Sequence, residues 1–201
     1  MSSHLIQVGL LTASLGIVGG CGSDRVASPT VASISSRVVN EGSPASYDRH
    51  VGDAFLIALN PAFGPDQAIA PNGDKVIMTG TGTLGIHPKS ATGGGDFTHL
   101  SSTGAVLATG TWQVAKLLSF VSYGPSLTGA APPSFNAGKA QLGILLSPAG
   151  SGREISAILD IECHVPGSVV PGGIEEGINL RVPGIANFNE QAGGNTLFLL
   201  K

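Results

Sequence analysis

The chain has 201 residues, of which 11% are charged, 42% apolar and 5% aromatic; 30 are glycine and the formal charge is −3. Ten Lys and Arg beside thirteen Asp and Glu make no footprint for a phosphate backbone, so nucleic acid is not an expected partner. The low charge and ample apolar content argue against disorder. The glycine content argues against a helical bundle, since each Gly inside a helix costs up to about 1 kcal/mol.

The first segment, MSSHLIQVGLLTASLGIVGGC, is apolar from Leu5 to Val18 apart from Gln7, Thr12 and Ser14. A run of about 14 residues suits the core of an export signal and is short of the ~20 that span a bilayer as a helix. No Lys or Arg precedes it. The tetrad Val18-Gly19-Gly20-Cys21 resembles the bacterial lipobox, an aliphatic residue and two small ones before a cysteine. That resemblance implies that Cys21 is lipidated and becomes the new amino terminus, which anchors the protein to a membrane of the cell envelope. Without lipidation the reading is a secreted protein. Residues 1–20 are therefore read as a lipoprotein-type signal peptide. Residues 21–50, rich in Ser, Val and Ala with Pro29 and Pro44, are read as a flexible tether, and residues 51–201 as the folded domain.

Along that domain, Asp53 to Leu59 is a short apolar run that suits either a strand or a helical turn, and Pro61 to Asp74 reads as a long loop. Lys75 to His87 is strand-like, with Gly80, Gly82 and Gly85 marking a bend or a close backbone approach. Pro88 to Gly95 is a loop. Asp96 to Leu100 and Ala105 to Trp112 form a hairpin about a Gly-bearing turn, and Gln113 to Tyr123 continues its second strand. Lys139 to Ser147 and Glu154 to His164 make a second hairpin. Three short strands follow within Gly173 to Val182, Ile185 to Asn189 and Asn195 to Leu200. The expectation is an all-β domain, a single antiparallel β-sandwich or a small closed β-barrel of about eight or nine strands. The Gly-Gly-Gly run at Gly93–Gly95 before a strand and Gly110-Thr111-Trp112 after a hairpin give the chain a texture that resembles small exported β-barrel families of the allene oxide cyclase and dirigent type. The resemblance implies a barrel and carries over no functional residue.

Candidate chemistry is sparse. The strand Ile155 to Cys163 puts Ile155, Ala157, Leu159, Ile161 and Cys163 on one face, so Cys163 is expected in the core as an inert thiol; a disulfide to Cys21 and a reactive thiol are the alternatives. The opposite face carries Asp160, Glu162 and His164, spaced for metal ligation or acid-base work; a solvated strand face is the plainer account. His87 and His99 flank the Gly-rich loop and could join that group or line a ligand site. Trp112, the lone tryptophan, fills the core or lines a pocket. The backbone of Thr92 to Asp96 could cradle an anion, and Glu175-Glu176 with Asn187-Phe188-Asn189 could hold a cation or a sugar; a flexible turn and edge-strand solvation are the simpler accounts. No motif calls for a cofactor or metal. The leading expectation is a non-catalytic, lipid-anchored envelope domain that binds a small ligand or a protein partner. An exported hydrolytic or metal-assisted enzyme using Asp160, Glu162 and His164 is the second reading, and an adhesin or surface-structural protein is the third.

Overall fold

Period-2 alternation, described from residue 45 to residue 201 in a computed structural model, builds nearly all of the chain. β1 (Ser46–Val51) leads into a single-turn-and-a-half helix, α1 (Ala54–Leu59), and a 3₁₀ turn at Pro61–Phe63. β2 (Asp66–Ile69), β3 (Lys75–Gly85), β4 (Ser90–Ala91), β5 (Gly94–Leu100) and the long β6 (Val106–Pro125) follow. β7 (Phe135–Pro148), β8 (Ile155–Cys163), β9 (Gly177–Val182), β10 (Ala186–Phe188), β11 (Glu190–Gly193) and β12 (Thr196–Leu200) complete it. All 12 strands join one antiparallel sheet. The all-β expectation holds.

Two long strands act as forks. One edge of β3 pairs β5; its other edge takes β2 along Lys75–Met78 and β1 along Gly80–Gly85. One edge of β7 pairs β6, and its other edge takes β12 at Phe135 and Asn136 and β8 from Gly138 to Leu146. The ladders therefore close a circuit, β3 to β5 to β6 to β7 to β12 to β1 and back to β3. A second route runs from β7 through β8 and β9 to β10, whose chain continues after Asn189 as β11 on β2. Three register shifts along β6 place bulges there, and bulges bend a strand.

The inner face is apolar because alternate residues of every long strand are. Met78, Leu84, Leu142, Ile144, Leu159, Ile161, Ile178, Leu180 and Phe198 are all at most 1% exposed. Trp112 sits among them, its Nε1–H donating to Thr79 O at 2.9 Å, and the guanidinium of the fully buried Arg49 stacks 4.9 Å from its ring centroid. Such a cation over a desolvated indole face is worth about 2 kcal/mol. Arg49 Nη2 also donates to Thr81 O (3.2 Å) and Thr92 O (3.4 Å). Burial lowers the Arg49 pKa to about 10, with Asp53 opposing the shift, so the cation persists at neutral pH. Room for both side chains comes from Gly80 and Gly82 on β3. A Cβ at Gly80 would lie 2.4 Å from Trp112 Cζ2, and one at Gly82 would lie 2.7 Å from Arg49 Nη2 and 2.0 Å from Thr92 O.

Several expectations need correction. Ser46 to His50, assigned to the tether, form β1 between β12 and β3, so ordered structure starts before residue 51. The charged Arg49 broke an alternation that Tyr47 and Val51 complete. The two-way reading of Asp53 to Leu59 resolves as helix, because the Asp53 carboxylate caps it by accepting Leu56 N–H at 3.2 Å. The strand count rises because β2, β4 and β11 are short and lie in Pro- and Gly-containing stretches. Cys21 and the leader lie outside the described residues.

Gly80→Ala is expected to lower the unfolding free energy by about 1–3 kcal/mol through overpacking. Gly172→Ala, with nothing within 4 Å of its Cβ position, should change it by less than about 0.5 kcal/mol. Urea denaturation followed by Trp112 fluorescence measures both; equal effects would remove the packing role given to Gly80.

Candidate functional site

β8 presents Asp160 and Glu162 on the outer face of the sheet, opposite Gln141 and Lys139 of β7 and Asn179 and Gly177 of β9. Asp160 accepts from Gln141 Nε2 at 2.8 Å and from Arg181 Nη2 at 3.3 Å. Glu162 is only 2% exposed. Lys139 Nζ pairs with its Oε2 at 3.2 Å, and the Tyr123 phenol is a second polar neighbour of the carboxylate. Burial first, and then this neighbouring carboxylate, raise the Tyr123 phenol to about 12. The residues after β8 return over this face, so Gly173, Ile174 and Glu175 join Asn179, Asn189 and Gln191 around a polar cleft of about 270 Å³.

His164 does not join that cleft. The β7–β8 ladder ends at Cys163 opposite Gly138, and with it ends the alternation that would have aligned His164 with Glu162. His164 instead lines a separate, mostly apolar cavity of about 280 Å³ with Leu56, Phe63, Phe135 and Leu197. His87 lies beyond the end of β3 and is exposed. Among the described residues no group of three or more His, Cys, Asp or Glu side chains is arranged to hold a metal. Cys163 is fully buried, has no disulfide partner among the described residues, and its thiol is pushed up by burial. Such a thiol is a poor nucleophile. The Gly94–Asp96 backbone is paired on both edges, to β3 and to β6, so the ladders engage the groups that an anion would use.

A different kind of site lies where β3, β5 and β6 face β7, β8, β9 and β10. Val76, Phe97, His99, Ala108, Leu180 and Phe188, with neighbours from β7, β8 and the β9–β10 turn, line a cavity of about 120 Å³. His99 is its single polar side chain. It lies edge-on to Phe188 at 5.2 Å between ring centroids, and its Nε2 is 3.4 Å from Asp74 Oδ2. Hydrogen bonds, that of Asn72 foremost, hold the Asp74 carboxylate below its usual range, so a negative charge stands beside the imidazole. Ile185, 63% exposed, stands at the lip. Trp112 is 1% exposed and belongs to the core.

Sequence reasoning missed Lys139, Gln141, Arg181 and Gln191, which carried no motif and gain meaning only through cross-strand pairing. It also missed Asp66, hidden in a Pro-rich stretch. Asp66 is fully buried, accepts Gln67 N–H at 3.1 Å, and leaves Oδ2 without a partner among the described residues. Burial, with Glu176 adding to it, raises its pKa to about 8, and burial raises Glu176 as well.

Compared with protein-family models, with curated proteins and with solved structures, the chain matches none.

The folded state keeps the Asp66 proton up to pH about 8, whereas an unperturbed carboxyl loses it near 3.8. The contribution of this group is full below pH ~4, falls as pH rises between the two values, and is gone above the upper one. Asp66→Asn, which mimics the protonated acid, should therefore gain stability relative to the parent at pH 9 and not at pH 4. Thermal melts at the two pH values check this; an equal effect at both would show that Asp66 is ionised in the fold.

Proposed function

We propose that this chain is an exported, lipid-anchored, non-catalytic β-domain that takes a small apolar ligand into the cavity ringed by β3, β5, β6, β7, β8, β9 and β10. The carrying observation is the cavity lining, which is apolar except for His99. Transfer of apolar surface from water into such a lining is favourable by roughly 25 cal/mol per Å², and one imidazole is enough to orient a ligand with a single polar end. Apolar cavities of about 150 Å³ stay dry and hold benzene, so a volume of about 120 Å³ suits a ligand of that scale or one apolar end of a longer molecule. The β9–β10 turn, with Gly184 at φ +76° and Ile185 exposed, stands at the entrance.

The carboxylates of the outer cleft give weaker support to a hydrolytic role, since Asp160 is engaged by Arg181 and Gln141 and Glu162 faces Lys139. The export and anchor readings rest on Leu5–Val18 and the tetrad ending in Cys21.

Titration with toluene, followed by amide NMR, should shift the resonances of Phe97, His99 and Phe188, and Ala108→Leu should abolish the shifts while leaving the melting temperature close to the parent's. Shifts that survive Ala108→Leu, or none at saturating toluene, would defeat the ligand reading. In a bacterial host, Cys21→Ser should move the protein from the membrane fraction to the soluble fraction; retention on the membrane would defeat the anchor reading.

A further inference from the structure

We propose that the end of the fold formed by α1, the β6–β7 loop and the segment after β8 is a face that docks on a neutral lipid bilayer and orients the anchored domain. The proposal rests on the anchor reading above for what keeps the chain at a membrane. Three stretches, 54–65, 126–135 and 165–172, contain no Asp, Glu, Lys, Arg or His. At the 11% charge of the whole chain, about three charged residues would be expected among these 30. The fold brings the stretches together. Leu59 and Phe63, Ala131 and Pro132, and Val165 and Pro166 line one mostly apolar cavity of about 280 Å³, and Leu127 N–H donates to Gly167 O at 3.0 Å. Each stretch also exposes large apolar side chains: Phe55, Ile57 and Leu59 from the first, Leu127 (73% exposed) from the second and Val169 (68%) from the third. The ionisable groups at the cavity, His164 and Glu176, are half-buried, and Glu176 Oε1 accepts from Asn195 Nδ2 at 2.7 Å. Exposed apolar surface gathered in this way marks an interaction site.

Two observations choose a bilayer as the occupant. The first is charge. A protein partner meets a polar rim and exchanges hydrogen bonds across it, whereas hydrocarbon penalises every charged side chain that enters. Loss of charge from three separate stretches that meet in space fits hydrocarbon. Without Lys or Arg, the face has no preference for anionic headgroups. The second observation is where the chain enters the fold. Tyr47 pairs Leu200, and Leu200 N–H donates to Ser134 O at 2.8 Å. The start of β1 therefore lies two strand spacings, roughly 10 Å, from the β6–β7 loop. Residues 22–44 join Cys21 to Ala45, and a chain of that length spans at most about 80 Å, so an acylated Cys21 and this face can meet one bilayer. The loops carry backbone groups that hydrocarbon cannot satisfy, so contact stops at the headgroups and upper acyl chains. The anchor retains the domain and the face sets its orientation.

Site-specific fluorescence of the full chain on phosphatidylcholine vesicles tests the proposal. Nitrobenzoxadiazole is attached at Leu127→Cys or at Thr103→Cys, an exposed turn residue beyond the other end of β6; Cys163 is fully buried and stays unlabelled. In the acylated chain, emission from position 127 should move to the blue and gain at least threefold in intensity, and that from position 103 should not change. The Cys21→Ser chain should show the same shift more weakly, at millimolar lipid. Val169→Glu, at an exposed position, should remove most of the gain. Failure of the anchor reading shows separately, as acylated chain left in the supernatant when the vesicles are sedimented; the Cys21→Ser chain then decides the face. Equal emission from positions 127 and 103 in both forms would overturn the proposal. A shift at 127 that needs no vesicles and grows with protein concentration would assign the face to a second copy of the chain and overturn it too.

Discussion

The close approach of β3, β5 and β6 around Trp112 is the constraint on which the rest of the sheet depends. At Gly80 a Cβ would strike the indole, at Gly94 it would lie 2.0 Å from Trp112 O, and at Gly95 it would lie 1.9 Å from Thr79 O. Only residues without a Cβ permit strands to cross so tightly while one large ring fills the space between them. The same opening admits Arg49. Its guanidinium has no carboxylate partner within ion-pair distance among the described residues; it is held by the indole face and two carbonyl oxygens. A buried cation with so few partners persists where the surrounding structure is rigid enough to hold it. Its position on β1 also ties β1 to the seam, and β1 is the strand that links β3 to β12 and closes the circuit.

Closure separates two environments. Inward residues of β3, β5, β7, β8 and β9 meet one another and exclude water, so the interior is apolar and ends in a small greasy cavity. Outward residues of β7, β8 and β9 would ordinarily be solvated, but Glu162 is 2% exposed, at a cleft that Gly173, Ile174 and Glu175 also line. A carboxylate that reads as surface in one strand is buried in the fold. Asp66 and Glu176 are raised by the same desolvation, so acidic groups buried at the seams between strands recur in this fold.

Much of the architecture was legible in the residues. The hairpin Asp96–Trp112, the pair Lys139–Ser147 and Glu154–His164, and the inward stripe ending at Cys163 all follow from period 2 and Gly-bearing turns. β1 was not legible, because a buried arginine interrupts its apolar face and nothing local reveals the indole that receives it. The Asp160–Glu162 pair was legible as a shared face; the departure of His164 was not, because alternation predicts side-chain direction only as far as the ladder extends. His99 could be named as a candidate, but its place in an apolar cavity depends on Phe188 and Ile185, some ninety residues along the chain.

By itself, the order of residues determined that this protein is built of antiparallel strands, where most of them turn, and which side of each long strand is apolar. Those are local properties, set by backbone sterics and by a side-chain direction that reverses at every residue. Tertiary structure alone decided which strands share edges, which carboxylates lose water and which face one cleft. These depend on register and on covering loops, and a residue's burial is a property of its neighbours in space, which a linear pattern does not contain.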